Sequence, residues 1–169
     1  QTILCGERRL DGAQLRENAA RAATGFSALG LQPGDAVAVM LRNDLPYLEL
    51  MLALNRLGVH LVAVNWHLQA EEAGFILQDS GARAFVVHAD LWPGVAHAVP
   101  QGLQVLVVPT PPDVRVAYGL AHSESQWPAG ALSWSDWRDS FAPSTAAPVP
   151  SVGSMLYTSG TSGRPKAVK

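Results

Sequence analysis

At 169 residues, 48 % hydrophobic and 15 % charged, the chain has the size and composition of one packed globular domain. A net charge of -2 and a pI near 6.2 argue against a nucleic-acid surface or a polybasic membrane patch, and no apolar run approaches the ~18 residues of a membrane span. The lone Cys5 rules out an internal disulfide and, with no signal-like N-terminus, points to a reducing, cytoplasmic setting, with Cys5 itself expected as a small packing residue at a frayed end.

The first helix is expected over 11–29. Asp11 stands as its cap with Gln14 three residues on, and Leu15, Ala19, Ala22, Ala23, Phe26 and Leu29 share one face. Gly30 ends it and Pro33-Gly34-Asp35 makes a turn. Residues 36–41 (AVAVML) are too continuously apolar for a half-exposed strand and read as a buried parallel one. A helix capped by Asp44 then runs to Leu57, apolar nearly all round and so expected between layers. Strands follow over 60–64, 84–88 and 105–108, separated by helices over 69–80 and 91–99. Glu71 and Glu72 sit in the first turn of the former, where the helix dipole favours negative charge. Strand and helix in alternation predict an α/β fold, a parallel βαβ sheet layered with helices.

The composition divides the chain into a βαβ part over 1–108, a Pro- and Trp-rich connection over 109–150, and a strand with a loop over 151–169. Within the connection, 132–141 (LSWSDWRDSF) reads as a short helix pinned to the body by its tryptophans, with Trp127, Trp134 and Trp137 as structural anchors. His60, His67, His88, His97 and His122 lack metal-ligand spacing. His60 and His88 are expected as hydrogen-bonded packing residues at strand ends. His67 follows a buried strand on the side of an α/β sheet where ligands gather.

Met155-Leu156-Tyr157 reads as a short strand running into Thr158-Ser159-Gly160-Thr161-Ser162-Gly163, which closes on Arg164-Pro165-Lys166. The two glycines allow a tight turn whose N–H groups converge on an anion, and Thr158, Ser159, Thr161 and Ser162 add hydroxyl donors. Pro165 stiffens the exit, and Lys166 supplies a point charge of the kind that binds phosphate. The chain has ten arginines and two lysines, Lys166 and Lys169, so the loop lysine is not a sample from a lysine-rich surface. A Walker A pattern cannot be laid over Gly160, Gly163 and Lys166.

The stretch Tyr157-Thr-Ser-Gly-Thr-Ser-Gly-Arg-Pro-Lys-Ala-Val168 resembles the phosphate-loop signature of the adenylate-forming superfamily, the acyl-CoA synthetases, luciferases and peptide-synthetase adenylation domains. Ser162 stands where that signature has threonine. Ala167 stands where it has glycine, adding a methyl at a place of expected close backbone approach. Residues 37–87, with VNWHLQAEEAGFILQDSGARAFVV, look like the first part of an acyl-CoA synthetase N-terminal domain. The resemblance implies the N-terminal part of an ATP-dependent acid–CoA ligase, which activates a carboxylate as acyl-adenylate and passes it to coenzyme A with Mg2+ assisting. It places ATP phosphates on Thr158, Ser159, Gly160, Thr161, Ser162, Gly163 and Lys166, and no catalytic residue in this stretch. Beginning without Met and stopping after the loop, the chain is expected to be a piece of a longer one, inactive alone. The alternatives are a self-contained non-catalytic nucleotide- or anion-binding α/β module and a peptide-synthetase-type adenylation domain. The acid, the thiol acceptor and a homodimer stay open.

Overall fold

The computed structural model describes residues 2–120, 130–158 and 166–168. In chain order the elements are β1 (Thr2–Cys5), β2 (Arg8–Asp11), α1 (Gly12–Ala28), β3 (Ala36–Met40), α2 (Leu45–Leu57), β4 (His60–Ala63), α3 (Ala70–Asp79) and β5 (Ala84–His88). Then come α4 (Trp92–Val95) with a 3-10 turn at Ala96–Ala98, β6 (Gln104–Val108), α5 (Pro112–Ala117), β7 (Leu132–Ser133), α6 (Trp134–Asp139), β8 (Ser154–Thr158) and β9 (Lys166–Val168). Among the described residues the main sheet has seven strands in the order β7-β6-β5-β3-β4-β8-β9, parallel from β7 to β8 and antiparallel at β8–β9.

Helices cover both faces of this sheet, which is why every residue of β3 and β5 is buried. Val37, Val39, Val86 and Leu106 pack on one side against Phe26 of α1, Leu50 and Leu54 of α2, and Trp134 of α6. On the other side Ala38, Met40, Phe85 and Val87 meet Ala73, Ile76 and Leu77 of α3 and Val95 of α4. The crossover from β3 to β4 runs through α2 on the first face, and that from β4 to β5 through α3 on the second, as a doubly wound parallel sheet requires.

Two local expectations change. The N-terminus is not frayed: β1 and β2 form an antiparallel hairpin in which Cys5 pairs with Arg8 across a two-residue turn. Gly6 takes φ 58° there, and among the described residues only glycines have positive φ, the pattern of a hairpin turn with glycine first. Capping of α1 is also one-sided. Asp11 accepts from the N–H groups of Ala13 and Gln14 at 2.8 Å each, but the Gln14 amide donates to Asn18 instead of closing back on the cap.

Helix α2 is apolar nearly all round, and no residue of it is fully exposed, yet it carries a buried carboxylate. Glu49 Oε1 accepts from the Asn18 amide of α1 at 2.7 Å. Its Oε2 accepts from the Trp134 indole N–H at 2.9 Å and from Arg138 Nη1 at 2.7 Å. One carboxylate thus joins α1, α2 and α6, and Gly25 of α1 makes the approach of α6 feasible, because a Cβ there would lie 2.6 Å from the Trp137 ring. Trp134 and Trp137 are the anchors expected of the 132–141 stretch; Trp127 lies outside the described residues.

From α6 the chain returns over α1 and α2 to reach β8 on the far side of β4, and residues 140–153 make this crossing without helix or strand. Several of their backbone groups bond to the helices beneath. Arg21 donates to Phe141 O, Thr24 to Ala142 O, and Arg56 to the carbonyls of Ser144 and Ala146, while Val149 N–H donates to Arg56 O. Gly58, at φ 64°, closes α2 where Val149 crosses, and a Cβ there would lie 2.8 Å from the valine methyl.

Removing one partner of a buried ion pair costs about 3–5 kcal/mol, because the others stay buried and unpaired. Glu49→Ala should therefore lower the urea-denaturation stability by about 3 kcal/mol, and a loss below about 1 kcal/mol would show that this carboxylate does not hold α6 in place.

Candidate functional site

Ligands of parallel α/β sheets collect beyond the carboxyl ends of the strands, at the place where strand order reverses. Here the order reverses about β3, with β4 on one side and β5 on the other, and the chain's own polar groups fill that place. Arg42 N–H donates to His88 Nδ1 at 2.9 Å, which leaves Nε2 to donate to Asp44 Oδ2 at 3.1 Å. Asp44 Oδ1 accepts from Leu45 N–H at 2.7 Å, as the cap of α2, and from Arg8 Nη1 at 2.6 Å, and Arg8 reaches on to Asp113 at 3.2 Å. The Arg42 guanidinium pairs with Asp90 at 2.8 Å and lies 4.5 Å and 4.2 Å from the ring centroids of Trp66 and Tyr118. Asp44, His88 and Arg42 are all buried, so the reversal point is a closed, mutually satisfied cluster.

Neither flanking histidine opens it. His88 is a hydrogen-bonded core residue, as expected, and His60 ties β4 to the returning chain through Gly153 O, with its Nδ1 at 3.3 Å. His67 is exposed and stacks on Trp66, ring centroids 3.5 Å apart, and its side chain makes no hydrogen bond among the described residues. Among those residues no three His, Cys, Asp or Glu side chains stand together as a metal site.

The open ground lies beyond β4, at β8 and β9. Their pairing sets Leu156 opposite Val168, Tyr157 opposite Ala167, and Thr158 opposite Lys166. Residues 159–165 are the connection of this hairpin, so Ser159, Gly160, Thr161, Ser162 and Gly163 lie outside the described residues, and Thr158 and Lys166 mark its two ends. Opposed residues of an antiparallel pair send their side chains to the same face. Met155 and Tyr157 turn toward the α3 side, so Thr158 and Lys166 share the other face with Leu156. Both are exposed, and Lys166 makes no ion pair among the described residues. Ala167 is an exposed residue of β9.

Beside this pair, between α2 and the ends of β3, β4 and β8, lies a cleft of about 320 Å3 walled by Val39, Leu41, Tyr47, Ala63, Trp66 and Leu156. Burial pushes the Tyr47 hydroxyl above its ordinary pKa, so it remains a neutral donor there. The arrangement offers a hydroxyl and an ammonium at a hairpin mouth, next to a cleft of mixed lining to which Asn43 and Asn65 also contribute. Sequence reasoning named Thr158 and Lys166. It did not find the cleft, whose walls come from three strands and a helix, nor the Arg8–Asp44–His88 chain, of which only the capping role of Asp44 was legible.

Burial works to raise the Asp44 carboxyl, but hydrogen bonds from His88, Arg8 and Leu45 N–H outweigh it and hold the pKa below the ordinary 3.8. A depressed carboxyl contributes stability that is complete above its unfolded value and is lost as pH falls through the folded one. The stability gap between the protein and its Asp44→Asn variant should thus be full at about pH 5 and close progressively below 3.8; a gap that persists unchanged at about pH 2 in urea titrations would contradict this.

Comparison with known proteins agrees with this fold. A fatty acid–[acyl-carrier-protein] ligase of Streptomyces coeruleorubidus is 36 % identical over 98 % of this chain and 29 % of its own length. A feruloyl-CoA synthase of an Amycolatopsis species is 32 % identical over 95 % of the chain and 28 % of its own. The crystal structure of an anthranilate CoA ligase in complex with anthranoyl-AMP shares the fold at a TM-score of 0.80 and 24 % identity, over 99 % of this chain and 31 % of that one. The chain therefore spans under a third of the length of each of these three relatives. Residues 1–169 match the family described as AMP-binding enzyme, and the chain belongs to that family.

Proposed function

We propose that these residues are the N-terminal part of an ATP-dependent acid–thiol ligase, which joins a carboxylic acid to AMP with release of pyrophosphate and then transfers the acyl group to a thiol. The observation that carries this reading is the β8–β9 register, which holds Thr158 and Lys166 opposite each other at the mouth of a connection composed of glycines and hydroxyls. Donors fixed in place before the reaction stabilise charge as it develops, without the cost of reorganising. Lys166 and the hydroxyls of Thr158, Ser159, Thr161 and Ser162, with backbone N–H groups at Gly160 and Gly163, would grip the β- and γ-phosphates and keep the leaving pyrophosphate in line. The carboxylate arrives already ionised, so the step needs no general base from this stretch.

Magnesium is the usual counter-charge in such a transfer and would neutralise the phosphates when bound. Among the described residues no group of three His, Cys, Asp or Glu side chains stands together to hold it. The thiol is coenzyme A or the carrier-protein thiol named in the Streptomyces relative, and parallel assays with the two acceptors separate these. The cytoplasm is the setting this chemistry fits. Residues 1–108 would form the scaffold, 109–150 the connection and 151–169 the phosphate grip. A stand-alone anion-binding module is the competing reading; a reading frame that continues for several hundred residues after Lys169 favours the ligase.

Charge-assisted hydrogen bonds contribute about 1.5–3 kcal/mol each, while association costs on the order of 4–15 kcal/mol before net affinity appears. The 169-residue piece should therefore release no measurable pyrophosphate by itself. In the intact polypeptide, screened for pyrophosphate release across a panel of carboxylic acids, Lys166→Ala should lower kcat/KM for ATP about 10- to 100-fold. Unchanged turnover in that variant would remove Lys166 from the site.

A further inference from the structure

Strand β8 outruns its neighbour. It pairs with β4 from Ser154 to Leu156, opposite Leu61 to Ala63, and there that ladder stops. Tyr157 and Thr158 are paired with β9 alone. The end of the hairpin that presents Thr158 and Lys166 thus stands clear of the sheet's ladder, although half a turn of slack there would move both groups off an anion. One polar side-chain tie among the described residues reaches it from the body: the Tyr157 hydroxyl donates to Asp79 Oδ2 at 2.8 Å.

Asp79 is badly placed for its own helix. It is the last residue of α3, where the unpaired carbonyls and the negative end of the dipole disfavour a carboxylate, and no basic residue shares that last turn. It lies toward the α3 face, whereas Lys166 is directed to the opposite face, and the two make no ion pair. The carboxylate therefore holds the strand without quenching the ammonium. Burial, and after it the Asp79 carboxylate, raise the Tyr157 phenol well above its ordinary pKa, so the hydroxyl stays a donor across the physiological range.

We infer that Asp79 is a positioning residue that acts through Tyr157 to fix where the Thr158–Lys166 pair meets its anion. The inference rests on the ligase reading for the identity of that anion as the tail of ATP, and on geometry alone for the tie itself.

Two readouts on the intact polypeptide test it. By hydrogen–deuterium exchange, Tyr157→Phe and Asp79→Ala should each speed exchange of the β8–β9 amides by about three- to tenfold, the loss of one hydrogen bond, and leave β3 and β5 unchanged. By pyrophosphate-release kinetics, the same variants should raise KM for ATP by a similar factor with KM for the acid unchanged. Asp79→Asn, which keeps an acceptor, should recover most of both effects, and the double variant should be no worse than either single one. Unaltered exchange in Tyr157→Phe, an equal rise in both KM values, or additive losses in the double variant would overturn the inference. Faster exchange in a polypeptide that releases no pyrophosphate with any acid would instead defeat the ligase reading and leave the tie standing.

Discussion

The return of the chain across α1 and α2 is the constraint on which the rest of the arrangement depends. Strand β7 ends at one edge of the sheet, and β8 must pair with β4 near the other. Residues 140–153 bridge that distance with no ladder of their own, so their carbonyls and N–H groups need partners from the helices they cross. Arg21, Thr24 and Arg56 supply them. These side chains project from the outer sides of helices whose inner sides build the core, so the same two helices that bury the sheet also route the chain to the place where the β8–β9 hairpin forms. Glu49 belongs to the same economy of means: its carboxylate holds α6, and α6 is where the return begins.

Burial of charge is treated differently at the two ends of this scaffold. At the reversal of strand order, where many α/β proteins open a ligand crevice, the Arg8–Asp44–His88 chain and the Arg42–Asp90 pair consume one another's hydrogen-bonding capacity. At β8–β9 the polar groups are exposed and Lys166 has no ion-pair partner among the described residues. A closed cluster resists ligands; an unpaired ammonium on a fixed strand invites an anion. Fold alone would have pointed to the first place, and the side-chain chemistry points to the second.

Much of the core was legible in the amino-acid order because it is governed by short-range rules. Runs such as 36–40 and 84–88 have no polar residue until their ends, which a strand covered on both faces allows and a half-exposed one does not. Asp11 and Asp44 sit where caps belong. What escaped is decided by distant partners. The hairpin of β1 and β2 is only weakly patterned, and its fixing through Arg8 depends on Asp44 and Asp113, far along the chain. Two-residue β7 and three-residue β9 are strands because a neighbouring edge offers pairing, not because Leu132-Ser133 or Lys166-Ala167-Val168 demand it. Glu49 could have been suspected as the one acidic residue in an otherwise apolar helix, but nothing local announces Asn18, Trp134 and Arg138 as its partners. In the candidate site, the composition of 157–168 suggested phosphate as the ligand, whereas the register that makes Thr158 and Lys166 neighbours exists only once the strands are paired.

That register carries an arithmetic consequence for how such a segment can vary. Side chains along a strand alternate between two sides, so a one-residue slip of β9 against β8 that set Ala167 opposite Thr158 would swing the ammonium to the far surface, whereas a change of length confined to the connection leaves the pairing as it is. Substitutions among the small and hydroxylated residues leave this parity untouched. Variation in the connection is therefore tolerant in composition and length, and strict only in the register of the two strands that it joins.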